Sequence, residues 1–272
     1  MLGCAVGRSA SSRPQRWEIL SPTPALPVPR VAGLVSISDI RIWRGEFGGG
    51  EPVLFLHGGL AHSNYWGRQI ADVAARHRVI AMDTRGHGRS TSGTKPLSYR
   101  LLADDVLGLL DALKIERTAI VGWSDGAIVG LDMAMRRPDR LSRLFAFGAN
   151  FNLGGLWPEG PQTATFIQYA ERCRVEYAGL SPAPANWPKL VAGLRRMWSS
   201  SPSWTTEQLS RIRVATVVAG AEYDEIIRQE HTAALAAAIP GARLVTMPAV
   251  SHFAMLQDPE RFNAELLAFL RS

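Results

Sequence analysis

The chain predicts an α/β fold, a mostly parallel sheet flanked by helices and carrying an inserted helical cap. Three observations point there. Short continuous apolar runs recur along the sequence, the pattern of strands covered on both faces. Between them lie segments whose apolar residues repeat at a helical period. One stretch, 149–209, breaks the alternation. It has no strand-like run and is rich in Pro, Ser and Trp, holding Trp157, Trp187, Trp198 and Trp204.

The elements follow in order. Residues 1–33 carry Arg8, Arg13, Arg16 and Arg30, several Ser and Pro and the acid Glu18, and read as a disordered tail. They contain no apolar h-region, so they are no secretory signal, although the Arg- and Ser-rich, acid-poor content resembles a transit peptide. Residues 21–30 include four prolines and read as an extended linker. Val35-Ser36-Ile37 and Ile40-Arg41-Ile42 alternate like a hairpin, and Gly48-Gly49-Gly50 ends it. Six apolar runs then predict strands at 52–56, 78–82, 118–122, 144–147, 214–219 and 243–247. Helices are predicted around 101–113, 128–135, 232–239 and 259–270; in the last, Phe262, Leu266, Leu267 and Leu270 form one stripe. Within the cap, Phe166 to Cys173 and Leu190 to Trp198 look like short amphipathic helices. Thr205 with Gln208 three residues on resembles a capping box. The core is thus read as 34–148 and 210–272, with the cap between.

Composition limits the function classes. A chain of 272 residues with 46% hydrophobic and 20% charged content buries a large core. The net charge of +6 is spread along the chain, and its densest clusters are the pairs Arg136-Arg137 and Arg195-Arg196. This is a solvated basic surface rather than a nucleic-acid footprint. No apolar run approaches the ~20 residues that span a bilayer, so no membrane partner is expected. Cys4 and Cys173 define neither a disulfide framework nor a metal site, and a reducing, cytoplasmic setting is the default. Nothing here fixes an oligomeric state.

The chemistry concentrates at Gly122-Trp123-Ser124-Asp125-Gly126, a G-x-S-x-G motif between a predicted strand and a predicted helix. Such a turn lifts the serine hydroxyl clear of the sheet, and small flanking residues allow the close backbone approach. A serine hydroxyl needs a base to act as a nucleophile at neutral pH. Of the six histidines, His252 is the best placed, after the last strand and before the last helix. Asp224 is the candidate acid that orients it, with Glu222 and Glu225 as neighbours able to serve. Negative charge developing on an attacked carbonyl oxygen calls for two amide donors. Asp125 supplies one, and the loop after His57-Gly58 supplies the other from Gly59, with Leu60 as the fallback. Trp123, Trp157, Trp198 and Phe253 are the candidate substrate contacts. His57, His62 and His87 read as loop-bonding residues, and no cofactor or metal is called for.

With these residues placed, the chain resembles the α/β-hydrolase superfamily over about residues 34–272. Leu56-His57-Gly58-Gly59 looks like the oxyanion loop, and 83–90, DTRGHGRS, like the family's D-x-R-G-H-G-x-S stretch. Gly122 to Gly126 looks like the nucleophile elbow, Asp224-Glu225-Ile226-Ile227 like the acid loop and Ser251-His252-Phe253 like the histidine loop. The resemblance implies about eight strands, mostly parallel, with the cap after the sixth. The elbow and acid loop are similar to those of biphenyl hydrolase-like (valacyclovirase-type) esterases, in which the acid after the nucleophile reads a substrate amine. Here that position is Asp125, which would equally suit a helix N-terminus electrostatically. The chain departs from the family at Ala127, often glycine, and at Ala215, often proline.

A serine at the elbow excludes the aspartate-nucleophile dehalogenases and epoxide hydrolases. The short oxyanion loop departs from that of meta-cleavage C–C hydrolases. The expected reaction is acyl transfer to water from a small ester, a lactone or an amino-acid ester. A cofactor-free perhydrolase (haloperoxidase-like) and a small-molecule receptor of the same fold are the alternatives.

Overall fold

The computed structural model describes residues 13–271. Eight strands form one sheet: β1 (Val31–Ile37), β2 (Ile40–Phe47), β3 (Pro52–Leu56), β4 (Arg78–Met82), β5 (Thr118–Trp123), β6 (Leu141–Phe147), β7 (Ala215–Ala221) and β8 (Arg243–Met247). Their spatial order is β1-β2-β4-β3-β5-β6-β7-β8. β1 with β2 and β2 with β4 pair antiparallel, and every later pair is parallel.

The helices are α1 (Gly67–Ala74), α2 (Tyr99–Ala112), α3 (Asp125–Arg136), α4 (Ala164–Leu180), α5 (Trp187–Trp198), α6 (Thr206–Leu209), α7 (Gln229–Ala238), α8 (Ala254–Gln257) and α9 (Pro259–Arg271). β6 shows how they cover two faces, because successive side chains of a strand point to opposite sides. Leu144 lies beneath Gly130 of α3, whereas Phe145 and Phe147 meet Phe262 of α9 with ring centroids 5.6 and 5.4 Å apart. Both faces are dry, which is why the strand sequences read as unbroken apolar runs. β5 has every residue buried.

Two features depart from the sequence reading. α1 and α8 were not anticipated: each is short, and neither carries a long apolar repeat. The disorder expected through residue 33 does not hold over 13–33; residues 1–12 lie outside the described residues. β1 begins at Val31, and the strap before it packs on the protein. Leu20 is buried, Arg172 of α4 donates to the Leu20 and Ser21 carbonyls, and the Ala25 carbonyl lies where a Cβ on Gly67 would stand. Four prolines kept that stretch extended, but an extended segment still packs where its carbonyls find donors.

Between β6 and β7 the chain leaves the sheet and builds α4, α5 and α6. Thr205 caps α6 through the box anticipated with Gln208. α4 and α5 lie over the C-terminal ends of the strands through Tyr169, Trp187 and Trp198, all of which face one cavity. Among the described residues, no helix is long and apolar enough to cross a membrane.

Candidate active site

β5 ends at Trp123 and α3 starts at Asp125, leaving Ser124 to make the whole turn. Its backbone is forced to φ 53°, ψ −120°, a conformation that costs a non-glycine residue about 1–3 kcal/mol. The flanking glycines make the turn feasible. A Cβ on Gly122 would stand 2.5 Å from the Ala127 nitrogen, and one on Gly126 would strike the Leu56 carbonyl. The oxyanion loop is equally close, since a Cβ on Gly58 would lie 3.2 Å from the Ser124 Cβ.

The loops after β7 and β8 bring Asp224 to His252. The imidazole Nδ1 lies 3.0 Å from both carboxylate oxygens. Asp224 Oδ1 also accepts the Ile226 and Ile227 amides at 2.9 and 2.8 Å, which fixes the carboxylate. The neighbouring acids do other work. Glu222 accepts the Ala249 amide, and Glu225 accepts the His252 amide at 3.0 Å. Burial opposes a charged imidazole, but the Asp224 carboxylate, with Glu225 and Asp125 beyond it, outweighs burial and raises the His252 pKa. Gly148, at the end of β6, leaves space for the ring: a Cβ there would stand 2.8 Å from His252 Cε1.

Ser124 and His252 face the same cavity of about 590 Å³. Among the described residues, no hydrogen bond joins the Ser124 hydroxyl to the ring, a bond that often tightens only when substrate is bound. Gly59, Leu60 and Asp125 line this cavity too. Their amide groups donate to no described protein acceptor, and Leu60 holds φ 68°.

The Asp125 side chain is the least foreseen part of the site. Buried beside Ser124, it accepts the Tyr99 hydroxyl at 2.8 Å and the Trp198 indole N–H at 2.9 Å. Burial pushes its carboxyl up to about 6, against the pull of those two donors. Trp198, the last residue of α5, is thus bonded to the turn after β5. Tyr169 of α4 likewise donates its hydroxyl to the Gly59 carbonyl.

Trp123, Trp157 and Trp198 line the cavity. Phe253 does not: it is fully buried, packed edge-on against Trp123 and tilted against Tyr169. The turn after β8 sends the Phe253 ring into the core against Trp123 and Tyr169 while His252 faces the cavity. Sequence reasoning missed Tyr99, Asn150, Phe166, Tyr169 and Trp187 in the cavity wall. A buried carboxylate at 125 demands donors, which is a signal for some partner but not for Tyr99 in particular.

The upstream histidines hold loops. His57 Nδ1 donates to the Gly58 carbonyl and Nε2 accepts the Thr84 amide, while burial, then His87, lowers its pKa to about 3. His87 Nδ1 donates to the Arg85 carbonyl. His62 pairs with Glu176 of α4 at 3.0 Å. Among the described residues no group of three or more His, Cys, Asp or Glu is placed to hold a metal.

An eight-stranded sheet with a strained serine at its central turn and an Asp–His pair beside it defines an α/β-hydrolase architecture. The chain belongs to the alpha/beta hydrolase family, which it matches over residues 53–265. It is 28% identical over 252 residues to a "Putative carbamate hydrolase RutD" of Azorhizobium caulinodans, covering 85% of this chain and 95% of the relative. Among solved structures, a hydrolase from Pseudomonas aeruginosa superposes with a TM-score of 0.73 at 25% identity, covering 89% of this chain and 98% of that one. An N-acyl homoserine lactone degrading enzyme superposes with a TM-score of 0.69 at 28% identity, covering 87% and 100%.

Proposed function

We propose that this hydrolase cleaves a small carboxylic ester or lactone through an acyl-enzyme on Ser124. The observation that carries the reading is the Asp224–His252 pair, 3.0 Å apart, opening onto the same cavity as the strained Ser124. Ser124 Oγ attacks the substrate carbonyl carbon while His252 Nε2 takes its proton. The carbonyl oxygen becomes an oxyanion held by the Asp125 amide and that of Gly59 or Leu60. The carbon–oxygen bond to the leaving group then breaks, and His252 returns the proton to the departing alkoxide. Water, deprotonated by the same ring, releases the acid and regenerates the serine. Asp224 holds the ring with Nδ1–H toward itself.

The wall of the cavity, with Phe166, Trp187, Val191 and Ile227 in it, suits an apolar acyl or alcohol group of modest size. The segment between β6 and β7 then acts as the cap. The similarity to a lactone-degrading enzyme and to relatives named for carbamate hydrolysis supports acyl chemistry and puts both groups on the substrate panel.

The test is hydrolysis of p-nitrophenyl acetate and butyrate, with fluorophosphonate labelling mapped by mass spectrometry. Labelling at Ser124 and loss of both signals in Ser124→Ala are expected; hydrolysis by Ser124→Ala at the parent rate would refute the reading. A second reading, a ligand receptor with little turnover, draws on the missing Ser124–His252 hydrogen bond. Turnover of ~1 s⁻¹ or more on a simple ester would exclude it.

A further inference from the structure

Both loops that carry the Asp–His pair are gripped from outside by the strap of residues 15–23, which the mechanism above does not use. We propose that Gln257, oriented by the strap carbonyls, is a positioning residue for His252, and that Trp17 steadies the Asp224 loop from the same strap. The proposal rests on the serine-hydrolase reading.

Gln257 closes α8, directly after the histidine loop. Its Oε1 accepts the Ser251 amide at 2.7 Å, and its Nε2 donates to the Ser251 hydroxyl at 3.1 Å. Ser251 is buried and precedes His252. A primary amide can be reversed end for end, and its orientation is fixed only by what surrounds it. Here the Ile19 and Trp17 carbonyls accept from the same Nε2 at 3.0 and 3.3 Å. A reversed amide would set oxygen against two carbonyls and nitrogen against an N–H. The strap carbonyls and the Ser251 amide therefore agree on one orientation of the amide, which braces the backbone on one side of His252. Glu225 holds the His252 amide itself.

The acid loop is held by the same strap. The Trp17 indole stacks on the Tyr223 ring with centroids 3.8 Å apart and planes 7° from parallel. Tyr223 precedes Asp224, and its amide donates to the Val250 carbonyl, joining the two loops. Arg16 pairs with Asp258, next to Gln257. Further along, Arg172 ties the Leu20 and Ser21 carbonyls to α4. One stretch of chain thus touches the acid loop, the end of α8 behind the histidine loop and the segment over the cavity. Catalytic geometry tolerates little displacement, and shifts of about 1 Å can cost 10²-fold.

The experiment uses the full chain as parent, Trp17→Ala, Gln257→Ala and the conservative Trp17→Phe. The first readout needs no substrate: the His252 ring titration followed by NMR. The charged groups facing that ring are Asp224, Glu225 and Asp125. Loosening its approach to Asp224 lowers the ring pKa. Both alanine variants are expected to titrate at lower pH than the parent and to lose kcat roughly tenfold on p-nitrophenyl butyrate, with KM little changed. Trp17→Phe keeps the stack and the parent values. Parent-like titration and kcat in the alanine variants would overturn the proposal, as would an equal loss in Trp17→Phe. If Gln257→Ala does not fold, Gln257→Glu carries the decision: it keeps an oxygen for the Ser251 amide but sets oxygen against the strap carbonyls, and parent-like titration and kcat in it would overturn the proposal. A parent that hydrolyses no ester refutes only the serine-hydrolase reading, because the titration still decides whether the strap positions the ring.

Discussion

The floor and the roof of the cavity are built on different principles. The floor consists of the elbow and the acid and histidine loops, held mainly by bonds to near neighbours in sequence or by adjacent strand ends, with the N-terminal strap bracing it from outside. Asp224 is fixed by amides two and three residues on, and Ser124 by the strand and helix on either side of it. The roof, α4 and α5, is held to the floor by a few long-range polar links: Tyr169 to Gly59, Trp198 to Asp125 and His62 to Glu176. Tyr65 to Cys173 adds a weak one, and burial pushes that thiol up to about 12, leaving it an inert packing group. The floor's bonds are mostly short in sequence, whereas the roof joins it by links far apart in the chain laid over the apolar packing of Tyr169, Leu194 and Met197.

The sharpest way to break this contrast is at Ser124, the proposed nucleophile. Ser124→Ala is expected to lower kcat about 10⁴-fold or more with the fold intact, measured by ester hydrolysis and circular dichroism. Asp224→Asn comes next, with roughly 10³–10⁴-fold lost. It also gives a pH signature. His252 acts as a base only when neutral, and Asp224 raises its pKa. Removing that charge moves the acid limb of kcat/KM to lower pH. An unmoved limb would mean that Asp224 is not the partner that matters.

The roof should respond more mildly. Tyr169→Phe removes one donor to the Gly59 carbonyl and is expected to cost about three- to tenfold in kcat/KM. A loss as large as that of Asp224→Asn would place the roof inside the catalytic machinery and erase the distinction.

The smallest effect concerns Asp125, where floor and roof meet. Its carboxyl is raised to about 6 by burial, against about 3.9 in an unfolded chain. Between those values the native state binds the extra proton, so this group's contribution to stability falls as pH rises. Asp125→Asn lacks that loss. Relative to the parent, the variant should gain stability between about pH 4 and pH 6, by roughly 1–3 kcal/mol, read from denaturant midpoints. A constant difference across that range would show that the carboxylate is not desolvated.

The same contrast explains what was legible in the sequence. The floor is written in short motifs because its geometry is local: Gly122 and Gly126 are small since two backbones pass over them, and the strands are apolar on both faces because helices cover both. Asp224 was separable from Glu225 only by register, since the loop brings one carboxylate to the imidazole ring and the other to its backbone amide. The roof is not written that way. Phe253 and Tyr169 are both aromatic, yet Tyr169 faces the cavity and Phe253 the core, and only the packed chain decides which. The strap escaped for a related reason. Prolines announce that a segment will not be helical, but not that its carbonyls will find Gln257 and Arg172.

Gly148 shows how a strand end sets the terms for a loop far along the chain. Its missing Cβ is the room in which the imidazole sits, since a Cβ there would stand 2.8 Å from His252 Cε1 and 3.1 Å from Nδ1. The loop after β8 can therefore keep that ring against Asp224 only while position 148 carries no side chain, so the pairing of two distant loops depends on an atom that a third one lacks.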